Sequence, residues 1–234
     1  MSFRAKSFAC LVALLLTLSL SLSLALPAAA MDKAEADIKV QEARISLMQF
    51  TNSPDNSTPR WLLARCKGVA LFPGMIKAGF IVGGNYGTGV IMSRRPDGTW
   101  SGPAFFIMGG ASIGFQIGAQ SSDLFMVIMT KVGLDAVLRN QAKFGVDASA
   151  VAGPVGRDAQ AAIAGASTQA DLYSYSRSAG AFLGASVSGA GIQFDKASSA
   201  AYYGRPVTVA DIFEGKVELP PSAKALVETL NQFK

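Results

Sequence analysis

The stretch Gly109–Gln120, GGASIGFQIGAQ, constrains the fold of this chain more than any other segment. Its glycines at every fourth position are typical of packed membrane helices, and its GASIG segment fits the G-x-S-x-G turn of a hydrolase nucleophile. From Ala111 to Gln120, however, apolar residues alternate with small or polar residues without exception. Period two places every second side chain on the same face of a β-strand. The alternation therefore predicts a half-buried strand.

The two other interpretations conflict with the residues present. A membrane-spanning helix would place Ser112 and Gln116 in hydrocarbon, where polar side chains are costly. A nucleophile elbow requires a sharp turn at Ser112 and a histidine base, and the chain contains no histidine. The same absence removes the Ser-His-Asp and Cys-His catalytic arrangements and the commonest metal ligand. We therefore predict a protein that is not an enzyme and has no metal or cofactor; an enzyme using Ser, Lys or Asp alone has no support beyond G-x-S-x-G.

The first 30 residues are typical of a secretory signal peptide. Arg4 and Lys6 form a basic start, Phe8–Leu26 is an apolar run, and Pro27 is followed by an A-x-A cleavage motif that ends at Ala30. We predict cleavage after Ala30, so that residues 1–30 are a signal peptide and residues 31–234 are a single domain. An uncleaved N-terminal anchor is the alternative, because the apolar run is long. The expected location is the periplasm or the periphery of an envelope membrane.

Removal of this segment changes the charge and the cysteine content. It takes two basic residues, so Lys plus Arg falls from 21 to 19 against 16 Asp plus Glu, and the net charge becomes about +3. A charge this small does not indicate a nucleic-acid-binding protein. Cys10 is removed as well, and Cys66 alone cannot form an intramolecular disulfide. The exported domain must therefore be stabilised by its hydrophobic core.

Three segments have the periodicity of surface helices. Asp32–Phe50 has apolar residues on one side and charges on the other, and we expect the apolar side to pack on the domain; a helix that lies on a membrane is the alternative. Val132–Phe144 is the second helix, and a C-terminal helix follows Pro220 and Pro221. The apolar positions are Ala34, Ile38, Ile45 and Met48 in the first helix and Ala225, Leu226, Leu230 and Phe233 in the last.

The remaining segments read as strands and loops. One strand pattern, AGFIVGGNYGTGVIMSRR, has a face of mostly small residues, which is typical of a strand that another backbone approaches closely. Arg94–Trp100, RRPDGTW, predicts a hairpin turn. Further strands are expected in GVALFP and over Leu124–Thr130, and Asp171–Asp195 is expected to form two strands or one long bent strand. Loops are expected at Thr51–Pro59 and Gly145–Ala159. The fold class is α+β: a curved antiparallel sheet or partial barrel of Gly-rich strands flanked by helices.

Several long blocks of the sequence resemble one family in the right order. The blocks are CKGVALFPGMIKAGFIVGGNYGTGV, RRPDGTWSGPAFFIMGGASIGFQIGAQSSD, AGPVGR, YSYSRSAGAFLGASVSGAGI and AYYG. Together they resemble the SYLF domain, or Ysc84-type lipid-binding domain, over about Ile45 to Phe233. Cys66 departs from the small residue, such as alanine, that is expected there.

The resemblance implies a binding domain rather than an enzyme. Eukaryotic members bind phosphoinositides and some bind actin, but an export signal suggests a bacterial envelope member for which neither is an expected ligand. The implied partner is a membrane phospholipid or another envelope lipid. The alternative is a structural or interaction protein of the envelope whose Gly-rich sheet binds a protein partner.

A phosphate head group requires cations or convergent backbone N–H groups. The candidate lipid-binding residues are Arg94, Arg95, Arg157, Lys67 and Lys77. Arg94 and Arg95 are adjacent at a hairpin, where a strand would aim them to opposite faces. Arg157 closes the glycine-containing AGPVGR segment. The alternative for each is a solvated surface charge or, for Arg157, a tight turn in which it pairs with Asp158 or Asp171.

Overall fold

The computed structural model describes residues 30–52, 57–139, 141–154, 163, 170–178, 181–187 and 189–233. Residues Met31–Lys234 form one compact unit. Its helices are α1 (Lys33–Asn52), α2 (Ser57–Leu63), α3 (Lys131–Leu138), α4 (Lys196–Tyr203), α5 (Val209–Phe213) and α6 (Pro221–Leu230). Its strands are β1 (Gly68–Ser93), β2 (Ala104–Ile128), β3 (Gln141–Lys143), β4 (Ala150–Ala152), β5 (Leu172–Ser178), β6 (Ala181–Gly184) and β7 (Gly191–Phe194).

A long antiparallel hairpin of β1 and β2 is the framework of the fold. Its register runs from Gly68 opposite Ile128 to Ile91 opposite Ala104, with two irregularities along β1. The predicted turn closes it: the N–H of Gly98 donates to the carbonyl of Arg95 at 2.9 Å, and Gly98 has φ of +83°. Gly109–Gln120 lies within β2, so the strand interpretation of that stretch is confirmed.

The other strands complete a mixed sheet around β2. The second edge of β2 pairs with β7 through residues 106–109 and with β5 through residues 123–128. β3 pairs with β7, and β4 and β6 pair with β5. All of these pairings are antiparallel except β4 with β5, which is parallel. The sheet curls into a half-barrel flanked by helices, which confirms the predicted α+β class.

The curl brings the two ends of β1 together. The backbone N–H of Arg94 donates to the carbonyl of Lys67 at 2.8 Å. A Cβ atom on Gly89 would lie 2.3 Å from the carbonyl oxygen of Leu71, and one on Gly87 would lie 2.3 Å from Sδ of Met75. The last part of β1 therefore crosses its first part closely, and glycine is required at Gly89, where the neighbour is the Leu71 backbone. The predicted small face of this strand is confirmed at these two positions.

Both faces of the sheet are buried under hydrophobic clusters. Phe105, Phe125 and Val127 belong to the cluster that packs against α1, α2 and α6. Their strand neighbours Phe106 and Met126 belong to the cluster on the opposite face, which includes residues of α3, α5 and β7. Strands covered on both sides have apolar residues in succession rather than in alternation.

Several predicted boundaries were wrong because long-range pairing overrides local pattern. The helix expected over Val132–Phe144 ends at Leu138, since Gln141–Lys143 joins the sheet beside β7. β4 lies inside the predicted loop Gly145–Ala159 and pairs with β5. The described part of Asp171–Asp195 contains three strands, where two strands or one long bent strand were expected, and α4 and α5 were not predicted.

The helix α1 packs on the domain as expected, but the buried face was predicted wrongly. The residues it buries are Ala36, Val40, Ala43, Leu47 and Phe50, all 0% exposed. The predicted face points outward: Ile38 is 55% exposed, Ile45 53% and Met48 38%. The helix carries apolar residues on two opposite sides, so periodicity alone does not decide between them. The buried set has five members at regular helical spacing, whereas Gln41 interrupts the outer set.

Cys66 is buried at the end of α2, and we expect its thiol to be unreactive in the folded protein. Its Sγ–H donates to the carbonyl of Leu63 at 3.3 Å, and the side chain is 2% exposed. Burial raises the pKa of the Cys66 thiol to about 12, against a smaller opposing effect of Arg94. At pH 8 the thiolate fraction is therefore about one in ten thousand. Residues 31–234 should react with a disulfide reagent at pH 8 only after unfolding in urea; fast reaction without urea would contradict this.

Candidate functional site

The outward face of α1 is an exposed apolar surface that borders a cleft. We call Ala34, Ile38, Ile45 and Met48 the outer stripe. They lie on one side of the helix, and all four are exposed. Arg44 borders the stripe on one side, and the Lys39–Glu42 ion pair, with an N–O distance of 2.7 Å, borders it on the other. An apolar band between charged borders is the arrangement of a helix at a polar–apolar boundary.

The sequence defines where α1 begins. The N–H of Asp32 donates to the Glu35 carboxylate at 3.0 Å, and the N–H of Glu35 donates to the Asp32 carboxylate at 2.9 Å. These reciprocal bonds satisfy N–H groups that the first helical turn leaves unpaired. The backbone N–H of Met31 also donates to Ser198 Oγ at 3.0 Å.

Polar contacts hold α1 against α4 and α6 and keep the outer stripe outward. Arg44 Nε donates to Thr229 Oγ1 at 2.9 Å. Ser222 Oγ donates to Asp37 Oδ1 at 2.7 Å and lies 2.7 Å from the hydroxyl of Tyr202. Burial raises the pKa of the Tyr202 phenol, so it remains protonated at neutral pH.

A cleft of about 440 Å³ lies where α1, α2 and α6 meet. We call it the Arg44–Arg60 cleft after the two cations that line it. The lining residues are Arg44, Met48, Thr51, Asn52, Arg60, Ala64, Thr229, Gln232 and Phe233. None of these carries a carboxylate, and Met48 belongs to the outer stripe as well. The cleft therefore joins a positively charged site to an exposed apolar surface.

The adjacent candidates Arg94 and Arg95 point to opposite faces of the sheet. Arg94 Nη1 donates to the carbonyl of Ala64 at 2.9 Å, on the side of α2. Arg95 Nε donates to the carbonyl of Phe213 at 2.9 Å, at the end of α5. Each guanidinium thus fixes a helix end to the hairpin turn and keeps further N–H groups for other contacts.

The other candidates lie apart from each other. Lys67 is exposed and its backbone is bonded to that of Arg94. Lys77 is half-buried and lines a cavity of about 20 Å³ with Asn85, whose buried Oδ1 has no hydrogen-bond partner among the described residues. A cavity of this size holds about one water molecule. Arg157 lies outside the described residues. Among the described candidates, the structure therefore places Lys67 beside Arg94 only, since Arg95 points to the opposite face.

Sequence reasoning missed Arg44 and Arg60 as site residues. They are separated by a loop-like segment and belong to different helices, and no local motif relates them. From the sequence, the site was indicated only by the apolar positions of α1, which allowed the alternative of a helix that lies on a membrane.

The described residues contain neither a membrane-spanning helix nor a cluster of metal ligands. No helix in this part of the chain has both the length and the apolarity to span a bilayer. No three His, Cys, Asp or Glu residues within it cluster in a way that could hold a metal ion.

The fold and this surface define a small α+β domain with a curled sheet and an apolar helix face beside a cationic cleft. A family model described as "Ysc84: Las17-binding protein actin regulator" matches residues 109–233. The chain belongs to the Ysc84 family. This confirms the resemblance inferred from the sequence blocks, and the description is that of a binding protein.

Curated relatives share most of this chain. Protein YSC84 of Saccharomyces cerevisiae is 36% identical over 183 residues, covering 75% of this chain and 38% of the relative. LAS seventeen-binding protein 3 of the same species is 36% identical over 182 residues, covering 75% and 39%. SH3 domain-containing YSC84-like protein 1 of Homo sapiens is 31% identical over 201 residues, covering 83% and 58%. This chain thus spans between about two fifths and three fifths of these relatives. No solved structure matches it.

Proposed function

We propose that this protein binds phospholipid at the surface of a cell-envelope membrane and catalyses no reaction. The observation that carries the proposal is the outer stripe of α1, with Ile38 55% exposed and Ile45 53% exposed. About half of each isoleucine side chain remains in contact with water, because the core is filled by the opposite side of the same helix. Exposed apolar residues that share one side of a helix favour a membrane or partner contact.

The geometry of α1 suits a helix lying in the membrane plane. Its 20 residues extend for about 30 Å, and the outer stripe follows most of that length. Moving each half-exposed isoleucine from water into the acyl region contributes about 1 kcal/mol. Contacts of cations with anionic head groups add to this contribution.

The proposed location is the cell envelope, with residues 1–30 acting as the export signal. The apolar run ends at Leu26 and α1 begins at Lys33. A retained anchor would therefore place α1 at the membrane surface, and cleavage after Ala30 would leave α1 next to the new N-terminus. Both cases leave the outer stripe available to a membrane.

The predicted cations remain head-group candidates under this proposal. Lys67 lies beside Arg94 at the ends of β1, Arg95 points to the opposite face of the sheet, and Lys77 lines the small cavity beside Asn85. Arg157 remains a prediction from the sequence. Their replacement by glutamine tests whether they add salt-sensitive affinity to that of the outer stripe.

Replacing Ile38 and Ile45 together with serine tests the proposal. We expect binding of residues 31–234 to phosphatidylglycerol vesicles to weaken about tenfold or more in co-sedimentation, because about 2 kcal/mol of apolar transfer is lost. The matched control replaces Val132 and Val146 with serine, since they are 57% and 81% exposed and lie outside α1. Equal binding by the Ile38/Ile45 variant and the control variant would refute the role of the outer stripe.

Binding of a protein partner is the second candidate function. The family description names a Las17-binding protein, and one relative is named for the same interaction. In this chain, Val151 of β4 is 42% exposed and Leu183 of β6 is 61% exposed, and both strands flank β5. The two functions differ in whether binding needs lipid. Binding of a purified protein partner through these strands in the absence of vesicles would favour a protein-binding function.

A further inference from the structure

We infer that the Arg44–Arg60 cleft is a phosphate-binding site. The inference deepens the proposed function where the phosphate belongs to a lipid head group. It does not depend on that function where the phosphate is free in solution. The shared chemistry is a tetrahedral oxyanion held by two guanidinium groups.

Existing hydrogen bonds orient both arginines before any ligand is present. Arg44 Nε donates to Thr229 Oγ1 at 2.9 Å. Arg60 Nε donates to the carbonyl of Thr51 at 2.6 Å, and its Nη2 donates to Asn52 Oδ1 at 3.1 Å. Neither Nη group of Arg44, nor Nη1 of Arg60, has a hydrogen-bond partner among the described residues. Because the Nε atoms are anchored, binding an oxyanion would cost less side-chain entropy than ordering two free arginines.

The charges around the cleft favour an anion. Its described lining residues include two cations and no carboxylate. The cleft lies beside the C-terminal ends of α1, α2 and α6, where each helix dipole contributes up to about half a negative charge. The two full guanidinium charges exceed these partial charges, so the described lining of the cleft is positively charged. The oxygen of Thr51 is already bonded to Arg60, which reduces its repulsion of a ligand.

The apolar part of the cleft fits a phosphate that carries an organic group. The guanidinium carbon of Arg60 lies 5.8 Å from the centre of the Phe233 ring. Met48 contributes to both the cleft and the outer stripe. A volume of about 440 Å³ is within the usual range of small-molecule sites, about 300 to 1,000 Å³. A lipid phosphate in the cleft would therefore place its glycerol and acyl chains beside the outer stripe.

Gln232→Glu is the most direct test variant. Gln232 is exposed, lines the cleft and makes no side-chain hydrogen bond within the described chain, so its replacement adds a carboxylate without removing a contact. Titration of residues 31–234 with inorganic phosphate and with glycerol 3-phosphate, followed through the arginine Nε–Hε NMR signals, should shift the signals of Arg44 and Arg60. Gln232→Glu should weaken this binding about tenfold or more, because like charges repel. Gln193→Glu, at an exposed position of β7, is the charge-matched control and should change it by less than about twofold.

Vesicles of phosphatidylglycerol and of phosphatidylcholine distinguish the two phosphate sources. If the protein binds phosphatidylglycerol more tightly than phosphatidylcholine, and Gln232→Glu removes this preference, the ligand in the cleft is a lipid head group. Binding of the soluble phosphates without a vesicle preference supports a free phosphate ligand. No shift of either arginine signal at millimolar phosphate, or equal affinities of the two glutamate variants, would overturn the inference. In that case, vesicle binding that still depends on Ile38 and Ile45 would leave the proposed membrane function intact.

Discussion

Replacing Gly89 with alanine is expected to lower the thermal unfolding midpoint of residues 31–234 by about 10 °C. The added Cβ would lie 2.3 Å from the carbonyl oxygen of Leu71 and 2.6 Å from the Phe72 ring. The first of these neighbours is backbone and cannot rotate away, so the crossing of β1 over itself must open. Overpacking of this kind costs about 3 kcal/mol, and each kcal/mol lowers the midpoint by about 2–4 °C in a domain of this size. Differential scanning calorimetry measures the change.

Gly84→Ala is the matched control on the same strand. Its added Cβ would lie 3.7 Å from the nearest atom, the carbonyl oxygen of Gly110, which is ordinary van der Waals contact. We expect a change in unfolding free energy of less than about 1 kcal/mol, with reduced flexibility of the unfolded chain as a small stabilising contribution. Equal midpoints for the two variants would contradict the self-crossing of β1.

Replacing Asp171 with asparagine is expected to destabilise the domain by about 2 kcal/mol at pH 7. The Asp171 carboxylate accepts hydrogen bonds from the Ser149 N–H and Ser149 hydroxyl, both at 2.8 Å, and from the Thr130 hydroxyl. The Thr130 hydroxyl also caps α3 by accepting from the Gly133 N–H at 3.1 Å. Asparagine keeps the shape but has one acceptor oxygen and no charge, and bonds to a charged group are the stronger ones. Urea unfolding measures the loss.

The contribution of Asp171 should disappear in acid. Partial burial by itself raises the pKa of the Asp171 carboxyl, but the hydrogen bonds from Thr130 and Ser149 together hold it below its ordinary value. A lowered pKa in the folded state stabilises the protein above the unfolded pKa of about 4 and loses that effect as pH falls through the folded value. The stability difference between the natural protein and Asp171→Asn should therefore narrow between about pH 5 and pH 3. A constant difference over that range would count against the charged network.

Strand positions and the hairpin turn were predictable because they depend on neighbouring residues. The alternation from Ala111 to Gln120 required a strand, and Pro96, Asp97 and Gly98 required a turn. The small face containing Gly87 and Gly89 predicted a close backbone approach, although which backbone approaches was not visible. It is the first part of the same strand. The short strands β3 and β4 were missed because their three residues become strands only through partners distant in sequence.

The candidate site was predictable only in part. The apolar residues Ile38 and Ile45 were recognised, but their exposure depends on Val40 and Leu47 occupying the core instead. Arg44 and Arg60 were not recognised, because a cleft between three helices leaves no spacing in the sequence. The sequence identified Arg94 and Arg95 as adjacent cations, but it did not indicate their hydrogen bonds to the carbonyls of Ala64 and Phe213.

By itself, the sequence of this protein determined the class of fold, the hairpin turn, the absence of histidine chemistry and membership of its family. The first three follow from local periodicity, turn chemistry and the residues present, and membership of the family follows from several long sequence blocks in a fixed order. Only the tertiary structure decided which side of α1 faces outward and which cations share a cleft. Both depend on how well competing apolar faces fill the space above a curled sheet, and that fit is a property of the whole packed domain.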